Sequence, residues 1–166
     1  MISALRFSHM PELLSLNALA PRRSNDREET GRRGERLAAR YLEENGYRLV
    51  VSNFKVPIGR NSRGVSVAGE IDIVALDEET LCFVEVKTRT SAEFAEPMES
   101  VTRRKQRQIT RTARVYRRIF GLSKMKFRYD VVSLVLARGA EPRIELTKGF
   151  WSESKFRKRV WSGDIY

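Results

Sequence analysis

The sequence predicts an α/β domain in which a central mixed β-sheet is flanked by α-helices. Two apolar runs of strand length, Gly69–Leu76 and Leu81–Lys87, are separated by a short charged turn, and this spacing is typical of paired strands. Two longer segments, Gly31–Asn45 and Met98–Phe120, repeat apolar residues at helical spacing. The chain has 166 residues, of which 41% are hydrophobic, so it is long enough to bury a core between these elements.

The composition restricts the partners and the kind of metal site. A formal net charge of +11 indicates a polyanionic partner such as DNA or RNA, with an anionic lipid surface as the alternative. No apolar run is long enough to span a membrane. Cys82 is the single cysteine, so no internal disulfide forms, which fits a reducing, cytoplasmic compartment. His9 is the single histidine, which excludes a His/Cys zinc site and leaves oxygen ligands, as for Mg²⁺ or Mn²⁺.

The N-terminal part divides into a leader and a helix. Residues 1–30 are predicted to be a flexible leader, because a weak apolar run ends at Pro21 and a charged stretch follows. The helix Gly31–Asn45 is closed by Gly46, a residue typical of the position just past a helix end. Glu35 lies at the edge of its small-residue face. It either points into a site beside the sheet or is a solvated glutamate favoured by the helix dipole.

Further strands are expected on both sides of the central pair. Tyr47–Val56 precedes it, followed by a mobile basic loop over Pro57–Ser66. Phe127–Leu136 and Arg143–Thr147 come after the second helix. Asp130, within Phe127–Leu136, is either a second acidic site residue or a structural one.

The C-terminal end mixes aromatic and basic residues. Such residues stack on nucleic-acid bases, or they form an amphipathic end that packs on the core. Trp151 marks the boundary, which divides the chain into the leader, a core domain over residues 31–151 and a basic aromatic tail over residues 152–166.

The central strand pair brings acidic side chains together. Alternate residues of a strand share a face, so Asp72 can lie close to Glu85 and Lys87 when the two strands pair as a hairpin. Glu70 shares a face with Asp72 and is an uncertain additional ligand. Carboxylates at the end of hydrophobic strands are costly unless they hold a cation or one another. The hairpin is therefore a candidate metal site.

The second helix has an apolar face and a basic face. Its apolar stripe comprises Val101, Ile109, Ala113, Tyr116, Ile119 and Phe120. Its opposite face comprises Arg103, Arg104, Arg107, Arg111, Arg114, Arg117 and Arg118, with no acid among them. A solvated face normally mixes charges of both signs, so these arginines favour a phosphate-contacting surface. Lys105 falls inside the apolar stripe, where it either snorkels to solvent or points toward the carboxylates.

These motifs together resemble a known nuclease superfamily. The residues that carry the resemblance are Gly31–Ala38, Gly69–Asp72 and Phe83–Arg89, supported by Val101 with Lys105, by Phe127–Asp130 and weakly by Ile144–Glu145. The combination resembles the PD-(D/E)XK nuclease superfamily and, more closely, the YraN-like uncharacterised protein family, whose members look like archaeal Holliday-junction resolvases. The resemblance implies a restriction-endonuclease-like core over roughly residues 31–151.

The same resemblance implies roles for individual residues. Asp72 and Glu85 would ligate Mg²⁺ or Mn²⁺, and Glu35 would be a second-site or water-mediated ligand. Lys87 would orient the attacking water or stabilise charge on the phosphate. The implied nucleic-acid contacts are Thr88, Arg89 and Lys105, together with Arg103, Arg104, Arg107, Arg111 and Arg114 of the basic helix face. The implied function is metal-dependent endonuclease cleavage of DNA, branched DNA included.

Two other classes of function remain alternatives. One is a non-catalytic module that keeps the fold and binds structured DNA or RNA. The other is an interaction protein in which the acidic cluster and Lys87 form a buried ion-pair network. For the nuclease and for the binding module, the expected partner is nucleic acid, DNA above all, and no membrane is expected. A homodimer would suit a symmetric junction.

Overall fold

The computed structural model describes residues 26–90 and 101–156. The helices and strands are α1 (Asp26–Glu44), β1 (Arg48–Arg60), β2 (Ser66–Asp77), β3 (Thr80–Arg89), α2 (Arg103–Ile119), β4 (Phe127–Val135) and β5 (Arg143–Trp151), followed by a short 3-10 helix (Glu153–Phe156). The predicted α/β class with a mixed sheet and flanking helices is confirmed, and the arrangement is consistent with a restriction-endonuclease-like core.

The sheet has five strands in the order β1-β2-β3-β4-β5. Neighbouring strands are antiparallel except β3 and β4, which run parallel and are connected across the sheet through α2. The two helices cover opposite faces. Ala38 and Leu42 of α1 pack with Ile73 of β2, whereas Ile109 and Tyr116 of α2 pack on the other face. Because both faces are covered, the central strands are apolar on both sides.

The apolar stripe of α2 is more buried near the start of the helix than at its end. The Lys105 N–H donates to the Thr102 side-chain oxygen at 3.3 Å, which caps the helix before its first turn. The first members of the predicted stripe are buried. Ile119 and Phe120 are 57% and 42% exposed, so the end of the stripe is only partly buried. The Phe120 ring still contacts the rings of Tyr116 and Phe54, at centroid distances of 4.6 and 6.5 Å.

Three predicted boundaries require correction. The first helix begins at Asp26 rather than Gly31, so the end of the predicted leader is helical. The predicted loop Pro57–Ser66 is largely strand, because β1 continues through Pro57 on an edge of the sheet and its pairing with β2 shifts register between Pro57 and Gly59. Only a short turn remains, in which Asn61 Oδ1 accepts from the backbone N–H groups of Arg63 and Val65. The last strand extends to Trp151.

Trp151 belongs to the core. Its ring stacks on Tyr129 with centroids 4.8 Å apart, and its Nε1–H donates to Thr110 Oγ1 at 3.0 Å. Of the two interpretations of the aromatic end, packing on the core is therefore the one found for this residue. The predicted leader over residues 1–25, the connection over residues 91–100 and the tail over residues 157–166 lie outside the described residues. Neither described helix is long and apolar enough to cross a membrane.

Candidate active site

The two central strands separate at Asp72. Pairing between β2 and β3 runs from Asp77 opposite Thr80 to Ile73 opposite Val84, and it ends there. The Val86 N–H then donates to Asp72 Oδ2 at 2.7 Å. A side-chain carboxylate thus takes a bond that the strand ladder would otherwise supply, which fixes Asp72 between the two strands.

The residue alternation of β2 is interrupted at the same place. Ile71 packs on the α2 side of the sheet and Ile73 packs on the α1 side, although regular alternation would put them on one face. Asn53 of β1 lies opposite Asp72 and has a positive φ of 55°, a conformation that Asn adopts more readily than most residues. The predicted common face of Glu70 and Asp72 is therefore not kept through this irregularity.

Asp72 and Glu85 form a buried carboxylate pair. They are 8% and 7% exposed. Burial raises the pKa of Glu85 to about 8, and the charge of Asp72 adds to this effect. Burial also raises the pKa of Asp72, against the opposing hydrogen bond from Val86 and the charge of Lys105. The sequence prediction that these two carboxylates lie close together agrees with their mutual interaction.

Lys105 of α2 supplies the positive charge beside this pair. Its Nζ lies 3.1 Å from Glu85 Oε2, and its side chain is 33% exposed. Glu85 Oε2 is buried, so this ammonium group is the cation that balances it in the structure. Burial alone would lower the pKa of Lys105, but Glu85 and Asp72 outweigh it and the pKa is raised. Of the two orientations considered for Lys105, the structure has the one toward the carboxylates.

Glu35 approaches the pair from the opposite side of the sheet. It is half-buried, and burial is the largest cause of its raised pKa. A hydrogen bond with the Asn53 side chain lowers that pKa, while the charges of Asp72 and Glu70 raise it further. Because α1 begins at Asp26, Glu35 lies well inside the helix, and the helix-dipole explanation no longer applies to it.

Lys87 follows Glu85 by two residues in β3 but is not the cation that pairs with it. The cation paired with Glu85 is Lys105, and Lys87 is exposed. Lys87 lines a cleft of about 540 Å³ between α1 and the end of β3, together with Glu35, Thr88 and Arg89. We call this space the α1–β3 cleft.

The wall of the α1–β3 cleft depends on a close helix–strand contact. A Cβ on Gly34 would lie 1.8 Å from Thr88 Oγ1, so only glycine allows α1 to approach β3 this closely. Glu35, the next residue, is thereby placed beside Lys87 in the cleft wall. Thr88, predicted as a phosphate contact, is half-buried by this packing.

The described residues contain no group of three His, Cys, Asp or Glu side chains arranged to hold a metal ion. The two buried carboxylates instead face one ammonium group. Asp130, the other acidic candidate, is fully buried and accepts from Arg128 Nε and from the Gly149 N–H at 2.8 Å. Asp130 is therefore structural, and the alternative of a site role for it is not supported.

The basic face of α2 is only partly open. Arg103 and Arg104, in its first turn, are exposed. Arg107 is also exposed and lies over the Phe156 ring at 5.7 Å. Arg111 donates to the backbone oxygen of Ile58 at 2.6 Å, which ties the helix to β1.

An acid beyond the last strand pairs with two further arginines of this face. Glu153 pairs with Arg114 at 3.2 Å and with Arg117 at 3.6 Å. Arg117 also lies 3.7 Å from the centroid of the Phe127 ring, and its side chain is only 15% exposed. The prediction of a face free of acids therefore fails at these two arginines, because the acid comes from a residue distant in sequence.

Asn53 is the site residue that sequence reasoning missed. It bonds to Glu35 and lies opposite Asp72, but in the sequence it is one polar residue within a strand pattern. Nothing at the sequence level distinguishes it from an ordinary solvent-facing position.

Comparison with protein families assigns the chain. A model of an uncharacterised protein family, UPF0102, matches residues 34–134, which is more than half of the chain. The chain belongs to the UPF0102 family. The matched range contains Glu35, Asp72, Glu85, Lys87 and Lys105, so the whole carboxylate site lies within the family region.

Individual UPF0102 relatives match over most of their length. A UPF0102 protein of Desulfosudis oleivorans is 39% identical over 124 residues, which cover 75% of this chain and 90% of the relative. A UPF0102 protein of Chlorobium limicola is 39% identical over 136 residues, covering 78% of this chain and 98% of the relative. A third, from Geobacter sulfurreducens, is 43% identical over 121 residues, covering 72% and 87% respectively.

The buried carboxylate pair predicts an alkaline loss of stability in this UPF0102 protein. The ordinary pKa of Glu85 is 4.5 and the folded value is about 8, so the folded state binds this proton more tightly than the unfolded state. The resulting stability is complete below the ordinary pKa and is lost as the pH rises through the folded pKa. Without metal, the free energy of unfolding should therefore fall between about pH 5 and about pH 9, by up to roughly 5 kcal/mol from this group.

The matched variant is Glu85→Gln, which is neutral at every pH. Its thermal unfolding in the presence of a chelator should depend less on pH over the same range, and its midpoint should exceed that of the wild type at the alkaline end by about 2–4 °C per kcal/mol. Identical pH profiles for the two proteins would contradict the raised pKa of Glu85.

Proposed function

We propose that this UPF0102 protein is a metal-dependent nuclease that hydrolyses phosphodiester bonds in DNA. The observation that carries the proposal is the carboxylate pair of Asp72 and Glu85, held at the place where β2 and β3 separate. Burying two acids costs free energy that a structural ion pair rarely recovers, whereas a cation site makes use of both. The exposed arginines at the start of α2 lie on the same helix as Lys105 and supply attraction for a polyanion.

The two buried carboxylates offer the kind of oxygen that a hard divalent cation binds. Glu85 Oε2 is buried and is balanced by the Lys105 ammonium group at 3.1 Å, a contact that a metal ion could replace. Asp72 and Glu85 would hold Mg²⁺ or Mn²⁺, with Glu35 as a second-site or water-mediated ligand. Bound there, the ion would neutralise the scissile phosphate and supply a hydroxide near neutral pH.

The residues around the carboxylates would position the substrate. Lys87 is exposed in the α1–β3 cleft, where its ammonium group can approach a phosphate oxygen and stabilise developing negative charge. Thr88 and Arg89 line the same cleft and are the proposed contacts to flanking phosphates. Val86 fixes Asp72 through its backbone N–H, which orients the second carboxylate oxygen for ligation.

The proposal also includes a superfamily, a substrate class and an oligomeric state. A PD-(D/E)XK nuclease similar to archaeal Holliday-junction resolvases would act on branched DNA in the cytoplasm, and a two-fold homodimer would match the symmetry of a four-way junction.

A cleavage panel tests the function. Purified protein is incubated with four-way junctions, flaps, linear duplexes, single-stranded DNA and RNA, with Mg²⁺, Mn²⁺ or a chelator. The proposal predicts cleavage of at least one DNA substrate that requires the divalent ion. The Glu85→Gln protein, purified in parallel, controls for a contaminating nuclease and should leave the substrates intact. Absence of cleavage across the panel with both ions would contradict the nuclease function.

A non-catalytic nucleic-acid-binding module is the second candidate. The contact that favours it is the Lys105–Glu85 pair, because an internal ammonium group can serve as the only cation that the carboxylates hold. Thermal unfolding separates the two candidates. A metal site at 100 times its dissociation constant should stabilise the fold by about 2.7 kcal/mol. A closed ion-pair network should gain nothing from either ion.

A further inference from the structure

The contact between Lys105 and Glu85 joins a partly exposed ammonium group to a buried carboxylate. The Glu85 carboxylate is nine-tenths buried, and its Oε2 lies 3.1 Å from Lys105 Nζ. Asp72 and Glu70 also act on this ammonium group electrostatically. A single ammonium group therefore lies beside a group of acids that would also attract a divalent cation.

The position and the flexible side chain of Lys105 both allow its ammonium group to move away from the carboxylates. Its side chain is one-third exposed, so a path to solvent exists, and a lysine stem has four rotatable carbons. It lies in the first turn of α2, whose cap involves the Lys105 backbone and not its side chain. Rotation of the side chain would therefore leave the helix start intact.

A divalent cation and the ammonium group would compete for one set of oxygens. Both are attracted by the same two carboxylates, and like charges a few ångströms apart in a partly buried site repel each other strongly. The ion would have to displace the ammonium group before it could occupy the position between Asp72 and Glu85.

Resting on the function proposed above, we propose that Lys105 is a tethered internal cation that occupies the carboxylate pair in the metal-free protein and sets its affinity for divalent metal ions by competing with them. Displaced, its ammonium group turns toward solvent at the start of the basic helix face, where Arg103 and Arg104 are exposed. Lys105 is thus a positioning residue whose ammonium group lies beside the carboxylates without metal and near the incoming polyanion with metal.

Mn²⁺ binding to the full chain, measured by calorimetry without nucleic acid at a mildly alkaline pH that keeps the Glu85 carboxylate ionised, tests this proposal. Lys105→Met removes the charge and keeps an apolar side chain of similar length. It should bind Mn²⁺ at least about tenfold more tightly than the wild type, since it has no internal competitor. Its metal-free form should unfold at a lower temperature because Glu85 loses its partner.

Lys55→Met is the matched control. Lys55 pairs with Glu70 at the same 3.1 Å separation, but its side chain is 63% exposed. Lys55→Met removes the same formal charge from the acidic region without freeing a buried carboxylate. Its Mn²⁺ affinity should stay within about threefold of the wild type, because exposed charges are well screened. An equal gain in both variants would overturn the displacement mechanism in favour of a general charge effect.

A second measurement needs no variant. The rate at which an amine reagent modifies Lys105 in the wild-type protein, followed by mass spectrometry of its peptide, should rise when Mn²⁺ is added, while modification of Lys55 stays constant. Mn²⁺ binding with no change in Lys105 reactivity and no gain in Lys105→Met would overturn the proposal and leave the metal site intact. Absence of Mn²⁺ binding in the wild type and in Lys105→Met would overturn the metal site itself, a result distinct from the previous one.

Discussion

Replacing Asp72 with Asn is expected to reduce metal-dependent cleavage at least about 100-fold, since a metal ion supplies several kcal/mol of transition-state stabilisation and each 1.4 kcal/mol is tenfold in rate. The fold should persist, because the Asn side-chain oxygen can still accept the Val86 N–H that Asp72 accepts at 2.7 Å. Binding of DNA in the presence of a chelator should be unchanged or tighter, because one negative charge beside the phosphate is removed. The measurements are initial cleavage rates with Mg²⁺ and DNA affinity by fluorescence anisotropy.

The control for this substitution is Glu145→Gln, which removes one carboxylate charge from an exposed position of β5. It should cleave at the wild-type rate. Full activity in Asp72→Asn would assign the cleavage to a contaminating nuclease. Equal losses of cleavage and of DNA binding in Asp72→Asn would instead indicate a binding defect, and the metal-ligand role would be wrong.

The central hairpin is the part of the site that the sequence could predict. Strand pairing across a short turn is determined by the apolar pattern, and the pair Asp72 and Glu85 follows from counting outward from Asp77 and Thr80. The sequence could not show that pairing ends just before these two residues, because this depends on the Asp72 carboxylate replacing a backbone bond and on the positive φ of Asn53.

The sequence could not identify the cation that pairs with Glu85, and the reason is a different one. A period of two places Lys87 on the same strand face as Glu85, but the end of β3 is open to solvent and leaves Lys87 exposed. The rotation of α2 about its own axis decides that Lys105 faces Glu85 instead. That rotation is set by long-range packing of residues such as Ile109 and Tyr116, which local periodicity restricts without fixing.

The basic helix face shows the same limit. Local sequence identifies the run of arginines, and Glu153 lies thirty-nine positions beyond Arg114, where no pattern links the two. Their pairing requires the short 3-10 helix to fold back beside α2. The predicted arginine contacts that make neither an ion pair with Glu153 nor a hydrogen bond with β1 are Arg103, Arg104 and Arg107, at the start of α2.

The substitution Arg103→Glu together with Arg104→Glu is therefore expected to weaken DNA binding strongly. Both residues are exposed in the first turn of α2, close to the carboxylate pair. If each contacts a phosphate, the slope of log affinity against log salt should become shallower by about 2, and affinity near 100 mM salt should fall at least about 30-fold. The helix should remain folded, because acidic residues in a first turn are favoured by the helix dipole. Fluorescence anisotropy with a labelled four-way junction in chelator measures both quantities.

The matched control is Arg118→Glu with Lys124→Glu, which changes the net charge equally. Both residues are exposed, at and just beyond the other end of α2, which is roughly 24 Å long by its residue count. This variant should keep most of the affinity and nearly the wild-type salt slope, because it lies outside the surface that borders the carboxylates. Equal losses in both double variants would show that only net charge matters. Unchanged affinity in Arg103→Glu/Arg104→Glu would remove the start of α2 from the interface and leave the Arg60–Arg63 turn as the next surface to test.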